Sequence, residues 1–277
     1  MDAALEIGNS VPFPPLPDGL ADAYGARGLR LRRFGTDADD LSIDFALEKQ
    51  PDLLTKVLRC CALAPGGAPV DSRFFWELEV GNRIECLVAL AALDGAGNIC
   101  FEFVCPRPSC REPIDLDLTL EEFLAGINSS PSPFAVDLGD RRIWVRRPTG
   151  TDQISWLSAC FVDPESAIRS IARSLVVDGI GELTAEWLRR IEERLEQEDP
   201  LVQFHLDARC PGCEQVSAYD IDIVEFAFGR LKQAQTRLIE SVGRLAAHYH
   251  WTESEILSIP AWRRAQYLAL ADRGEAR

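Results

Sequence analysis

Four of the nine cysteines stand in pairs whose spacing could hold a metal ion. Cys210-Pro211-Gly212-Cys213 has the tight Cys-x-x-Cys spacing of a metal knuckle. Cys105 and Cys110 bracket Pro106-Arg107-Pro108-Ser109, a looser spacing that still suits two ligands of one ion. Zn²⁺ in a structural site takes four thiolate or imidazole ligands in a closed tetrahedron, and each pair supplies half of that set. The pairing predicts one shared zinc site built from Cys105, Cys110, Cys210 and Cys213, with a degenerate, metal-free turn as the alternative. Two separate sites would each lack half their ligands. A redox Cys-x-x-Cys of the thioredoxin kind opens a helix, whereas each pair here lies between strand-like runs. His205 is close in sequence to the second pair, but its place in a strand predicts packing. Cys60, Cys61, Cys86, Cys100 and Cys160 sit in apolar or helical settings and read as small buried hydrophobes. An odd cysteine count without an export signal argues against a disulfide framework.

No other constellation supports chemistry, so no catalytic residue is expected. His248 and His250 are two apart in a predicted helix and point to different faces. No serine, cysteine or threonine has an evident histidine partner. Gly66-Gly67-Ala68-Pro69 and Asp178-Gly179-Ile180-Gly181 lack the pattern of a phosphate-binding loop. The acidic run from Glu192 to Asp199 reads as a solvated helix face. Asp115, Asp117, Asp220 and Asp222 alternate with apolar residues, which predicts strands with one wet side.

The elements that must present the cysteines recur. Phe101-Glu102-Phe103-Val104 enters the first cysteine turn, Ile114-Asp115-Leu116-Asp117-Leu118 leaves it, and Phe123 follows. Around the second turn, Phe204-His205-Leu206, Tyr219-Asp220-Ile221-Asp222-Ile223 and Phe226 repeat the order. Upstream, residues 28–33 predict a strand, and Gly35-Thr36-Asp37 follows with Thr36 or Asp37 placed to cap a helix. Residues 142–147 and Gly150-Thr151-Asp152 repeat that opening. Between these anchors, helices are expected over 51–64 and 74–93 in the first copy and over 164–176 and 184–197 in the second. Thr119-Leu120-Glu121-Glu122 is a capping box for a closing helix. The matched order predicts internal duplication. The expected fold is α+β: two tandem repeats, 27–130 and 131–231, of short strands, helices and a zinc-ribbon-like cysteine turn, sharing one zinc, plus an α-helical C-terminal tail.

Residues 1–26 include Val11-Pro12-Phe13-Pro14-Pro15-Leu16-Pro17, where proline blocks helix and sheet and favours an extended arm. In the tail, 232–277, Leu238, Val242, Leu245 and Tyr249 share a helix face. Thr252-Glu253-Ser254-Glu255 caps a second helix, and Pro260 suits the first turn of a third. Tyr249, Trp251, Trp262, Arg263, Arg264 and Tyr267 predict a partner-docking surface, since aromatic residues and arginine anchor interfaces. The competing reading folds this face back onto the repeats to complete their core.

Charge narrows the partners. The net charge is −15, although residues 232–277 carry seven basic and five acidic side chains. Such a body repels polyanions, so a zinc-ribbon nucleic-acid binder is disfavoured despite Arg107, Arg111 and Arg209 near the turns. The longest uninterrupted apolar run, Cys86 to Leu93, is too short to cross a bilayer. Met1-Asp2-Ala3-Ala4-Leu5-Glu6 does not resemble a signal peptide, so a cytoplasmic location is expected.

The segment from Ala247 to Arg264 resembles short helical segments of contractile phage tails and related injection systems. The shared pattern is His-Trp, an acidic capping turn, Ile-Leu-x-x-Pro, then basic residues before Tyr267-Leu268. Val145-Arg146-Arg147-Pro148-Thr149-Gly150-Thr151-Asp152, followed by a Cys-Pro-x-Cys turn and an Asp-x-Asp strand, is similar to the T-even-phage-type baseplate (hub) family. The first repeat departs from that pattern: Phe34 replaces the proline and the cysteines stand further apart. The resemblance implies a non-enzymatic structural or assembly component that binds other baseplate or hub proteins of its gene cluster and joins a phage tail-like particle. An assembly chaperone absent from the mature particle is the alternative.

Overall fold

The computed structural model describes residues 10–16, 19–67, 69–94, 98–125, 131–179 and 181–275. Helices dominate, joined by small antiparallel sheets. Strands β1 (Ser10–Pro12), β2 (Arg30–Arg32) and β3 (Ala62–Leu63) form one sheet in that order, with Val11 opposite Leu31. The proline-rich stretch therefore enters a sheet, contrary to the expected arm. An edge strand tolerates Pro12 because its missing N–H faces no neighbour. Phe13 is buried, its ring 5.8 Å from that of Phe74, which holds the stretch on the core. The beginning of the expected arm, 1–9, lies outside the described residues.

The first half continues with α1 (Leu20–Ala23), α2 (Gln50–Cys61), α3 (Ser72–Glu77) and α4 (Val80–Asp94). The single helix expected over 74–93 is broken between α3 and α4. There Glu79 bridges to Thr149, and the Leu78 carbonyl accepts from the Gly150 amide at 3.2 Å, so the backbone serves the second half instead of a helix. Hairpin β4 (Asn98–Val104)–β5 (Pro113–Thr119) leads into α5 (Leu120–Ala125). Glu122 accepts from the Thr119 amide and hydroxyl, both at 2.8 Å, as the capping box predicts.

The second half opens with hairpin β6 (Phe134–Asp137)–β7 (Arg142–Val145), then α6 (Gly150–Ser158), α7 (Pro164–Leu175) and α8 (Ala185–Glu198). Hairpin β8 (Phe204–Arg209)–β9 (Val216–Ile221) follows, then α9 (Ile223–Tyr249), α10 (Glu253–Ser258) and α11 (Ala261–Glu275). Phe134, Val136, Ile143, Val145, Leu175, Leu183 and Ile191 form the core of this half.

Helix α9 runs uninterrupted for 27 residues, straight through the boundary expected at 231/232. Its buried Ala227, Phe228, Leu231 and Ala234 join the first-half core with Leu31, Phe34 and Leu58. Gly35 makes this approach possible: its φ is +79°, and a Cβ there would lie 2.9 Å from that of Ala234. Further along, Leu238, Val242 and Leu245 pack on Ile256 and Leu41. Gln235 donates to the carbonyls of Asp40 and Ile43 at 2.7 and 2.8 Å, and Arg264 donates to the Thr36 carbonyl. These contacts fold the helical tail back onto the first half.

The Gly-Thr-Asp triplets do not occupy equivalent places. Gly35-Thr36-Asp37 precedes a 3-10 turn (Ala38–Ser42), whereas Gly150-Thr151-Asp152 is the first turn of α6. The correspondence lies elsewhere. Asp40 accepts from the amides of Gly35, Thr36 and Asp37 at 2.9, 2.9 and 3.0 Å and holds Arg32 in a fork at 2.8 and 2.9 Å. Asp152 accepts from the Thr149 amide at 2.8 Å and holds Arg146 at 2.6 and 2.8 Å. In both places an arginine at the end of a strand or one residue past it is locked to an aspartate in the first turn that follows.

A polar joint connects the halves. Fully buried Arg83 on α4 donates to the Pro51 carbonyl at 2.7 Å, Thr55 Oγ1 at 2.6 Å and Gln153 Oε1 on α6 at 3.0 Å. It has no carboxylate partner in these bonds, and burial lowers its pKa to about 10. Arg147 pairs with Glu79 at 3.2 Å and Glu198 at 3.5 Å. Asp199 accepts from the Gly81 amide near the start of α4, and a Cβ on Gly81 would lie 2.1 Å from its Oδ1.

Candidate metal centre

The two hairpins bring their turns together. Cys105, Cys110, Cys210 and Cys213 lie with every Sγ within 4.8 Å of the others. Cys105 Sγ is 3.7 Å from Cys213 Sγ, and Cys110 Sγ is 3.7 Å from Cys210 Sγ. Metal–sulfur bonds of about 2.3 Å in a regular tetrahedron place sulfurs about 3.8 Å apart, whereas a disulfide needs about 2.05 Å. The four thiols therefore fit a closed S₄ set that could bind a metal ion. In each close contact one sulfur comes from each turn.

The local backbone explains this aim. The Cys105 amide donates to the Glu112 carbonyl and the Cys210 amide to the Gln215 carbonyl, both at 2.9 Å, closing each loop at its entry cysteine. The residue after each exit cysteine, Arg111 (φ 54°) and Glu214 (φ 59°), is left-handed and turns the chain back into its strand. The first loop is longer by the difference between the Cys-x₄-Cys and Cys-x₂-Cys spacings, yet both cross to the same point. Gly212 sits where the loops meet: a Cβ there would lie 3.3 Å from Cys110 Sγ and 3.2 Å from Glu112 Cβ.

Cys105 and Cys210 are buried, with Ile114 and Ala208 beneath them, while Cys110 and Cys213 are half-buried. The Tyr219 ring stacks on Phe103 at 4.4 Å beside the cluster, and Phe101–Phe226 and Phe123–Phe204 pair at 4.8 and 4.9 Å. The thiols perturb one another. The Gln215 amide and the three neighbouring thiols stabilise the Cys213 thiolate against burial, bringing its pKa to about 7. For Cys110, the Glu112 amide favours ionisation, but burial and the other thiols overcome it and push the pKa up to about 12. One thiolate is thus easy to form and further ones are resisted, a conflict that a cation at the centre removes.

The remaining sequence expectations divide. Asp115, Asp117 and Asp220 are exposed on strands as the alternation predicts, whereas Asp222, also exposed, lies past β9 and caps α9 by accepting from the Glu225 amide at 2.9 Å. His205 is exposed and bonds Asp220 through Nδ1 at 2.5 Å, so it is a solvent-facing cross-strand partner and not a packed residue. Cys61 and Cys86 are buried, but Cys100 and Cys160 are exposed, because Cys100 lies on the wet side of β4 opposite Asp117 and Cys160 just past the end of α6. The acidic run is not solvated throughout. Glu198 and Asp199 are buried at the joint, and the signal available was the Asp-Pro break that ends α8 against α4.

In the tail, Tyr249, Trp251 and Tyr267 pack on each other with ring centroids 4.5 to 5.7 Å apart, and Arg264 is buried on the first half. Trp262 and Arg263 remain exposed. Arg83 was not anticipated; it is buried on α4 along with Val80, Ile84 and Leu87, while its polar neighbours Asn82 and Glu85 are only half-buried. No helix among the described residues is long and apolar enough to cross a membrane. The chain matches no protein-family model, no curated protein and no solved structure.

Proposed function

We propose that the chain is a non-enzymatic structural or assembly component whose two duplicated halves are tied by one structural Zn²⁺ on Cys105, Cys110, Cys210 and Cys213, and that it works in the baseplate of a contractile tail or injection system. The observation that supports the zinc is the convergence of two separate hairpins on one cluster, whose four sulfurs all lie within 4.8 Å of one another and two of whose contacts are 3.7 Å. Closed S₄ sets leave no open coordination position for substrate, so such a metal is structural. Duplication is supported by the paired cysteine turns and by the repeated lock of an arginine to a capping aspartate.

The baseplate assignment rests on the resemblance of residues 145–152 and 247–264. It agrees with a chain that carries no evident catalytic constellation and an exposed Trp262-Arg263 edge. The partners in this reading are other baseplate or hub proteins of the same gene cluster.

Two measurements test the proposal. Metal analysis of protein purified without chelator is expected to give one zinc per chain; a value near zero or near two refutes the shared site. Co-expression with the other proteins of its gene cluster is expected to retain the chain in purified particles. Its presence in intermediates alone would make it an assembly chaperone, and its absence from both would refute the assignment.

A further inference from the structure

The second half carries an apolar groove that its own side chains do not fill. It runs between α7 and α8 and has a volume of about 290 Å³. Helix α7 is strongly amphipathic, with Ile168, Ile171, Ala172 and Leu175 on one stripe. Only Ala172 and Leu175 are buried; Ile168 stays 56% exposed, and Val202 on the same groove 53% exposed. Leu188 and Leu195 of α8 line the opposite wall.

The charges on this groove have one sign. Glu192, Glu196 and Asp199 line it, and no lysine or arginine does. The nearest arginines on α7 are committed elsewhere: Arg169 pairs with Glu165 and Glu182, and Arg173 donates to the Gly181 carbonyl. Asp199 is 7% exposed; it accepts from the Gly81 amide and lies near Arg147 at the joint, while its Oδ2 has no hydrogen-bond partner among the described residues. A buried carboxylate oxygen without a donor is costly unless something supplies one.

We infer that this groove seats a basic amphipathic helix of a partner protein, whose apolar side chains cover Ile168 and Val202 and whose lysine or arginine meets Asp199 and the Glu192–Glu196 rim. Helix-in-groove docking needs an apolar trough with a charged rim, and both are present. A small ligand fits less well, because Ile168 and Val202 stay more than half exposed and the groove is not the enclosing cleft that buries most of a ligand's surface. A second copy presenting the same groove would set acidic rim against acidic rim. The inference is independent of the baseplate assignment, and the two can fail separately.

The test uses the full-length, metal-loaded protein and three labelled synthetic peptides of about 18 residues, long enough to form a helix. One has leucines on a single helical face and lysines and arginines elsewhere. The second has glutamate at every basic position. The third is a scramble of the first with no apolar face. Fluorescence anisotropy at physiological salt is expected to show binding of the first only. Asp199→Asn should weaken it about tenfold, by the loss of one charge-assisted contact. Ile168→Asp should weaken it by more than about tenfold, although the added negative charge would strengthen a merely electrostatic attraction. Ile168 is exposed, so an unchanged melting temperature verifies that this variant is folded. Equal binding of the scramble or of the glutamate peptide overturns the inference, as does full affinity in Ile168→Asp. A dimer in sedimentation equilibrium that Ile168→Asp dissolves would assign the groove to a second copy and overturn it too.

Discussion

Replacing Cys210 by serine should lower the melting temperature by roughly 10–20 °C, and chelation of the wild type should do the same. The metal would cross-link positions 100 and 108 residues apart in sequence. Closing a loop of about 100 residues removes about 4.7 kcal/mol of unfolded-chain entropy in the cross-link model. That is a large share of the roughly 5–15 kcal/mol that stabilises a typical protein. At about 2–4 °C per kcal/mol for larger domains, it gives the stated shift. Structural zinc in zinc-finger peptides is worth more, about 10–16 kcal/mol, because those peptides have little else to fold around. Here Phe101–Phe226 and Phe123–Phe204 already hold the hairpins near their bases, and Phe103–Tyr219 packs nearer the turns. The loss should therefore concentrate at the turns. Differential scanning calorimetry of wild type, chelated wild type and Cys210→Ser checks the magnitude. Hydrogen exchange should show new opening at 105–112 and 210–215 while β6–β7 stays protected. A chelated protein with an unchanged melting temperature, or a Cys210→Ser protein that still binds one zinc tightly, would refute the reasoning.

Burial raises the pKa of Glu85 to about 7, partly opposed by a hydrogen bond from Asn82. The folded state therefore holds this proton more tightly than the unfolded chain, and stability should fall as pH rises from about 4.5 to 7, by at most about 3 kcal/mol. Glu85→Gln should flatten that part of a pH–stability curve measured by urea unfolding. Arg147→Met removes the cation facing Glu79 while Glu198 keeps its pair with Arg194, so the loss should be at or below the lower end of the about 3–5 kcal/mol that breaking a buried pair costs, in the same assay. Truncation after Leu231 cuts α9 before Ala234 and strips the cover from Leu41, so the shortened body should aggregate or lose cooperative unfolding in circular dichroism. A soluble truncation with an unchanged melting temperature would contradict the packing of the tail on the first half.

The features legible in the sequence were those set by neighbours in the chain. The cysteine turns are local, Thr119 and Thr252 cap helices where their patterns place them, and α7 and α8 start within a residue of the expected positions. The convergence of the turns followed from counting ligands, since a closed tetrahedron needs both pairs. What the sequence hid depends on distant partners. Glu198 looked like the end of a wet helix face because its partner Arg147 stands 51 residues away. Arg83 could be placed only by Pro51, Thr55 and Gln153 together. The tail boundary was misjudged for a related reason. The apolar stripe of α9 continues from Phe228 to Leu245, but its first part serves the first-half core and its second part serves α10, and periodicity alone does not say which neighbour a stripe meets.

The halves are thus joined by contacts of unequal kinds. Buried ion pairs such as Arg147 with Glu79 and Glu198 give little net stability, because desolvation cancels most of their attraction. Their geometry is nonetheless specific: Gly81 and Gly150 must lack side chains for Asp199 and Arg83 to fit, at 2.1 Å from the would-be Cβ in both cases. Apolar contacts across the joint, with Val80, Ile84 and Ile99 meeting Leu201 and Ile223, supply the bulk of the free energy. Both kinds thin out toward the hairpin tips, where Cys105, Cys110, Cys210 and Cys213 stand with Ile114 and Ala208 buried beside them and the Phe103–Tyr219 stack against them. Beyond the Phe103–Tyr219 stack, that small cluster offers little apolar area to hold the two turns together. A cation bound there, as proposed, would turn the four converging thiols into a cross-link. The charged joint then fixes how the halves are oriented, the apolar contacts supply most of the energy, and a metal on the four cysteines would close the end that the core leaves open.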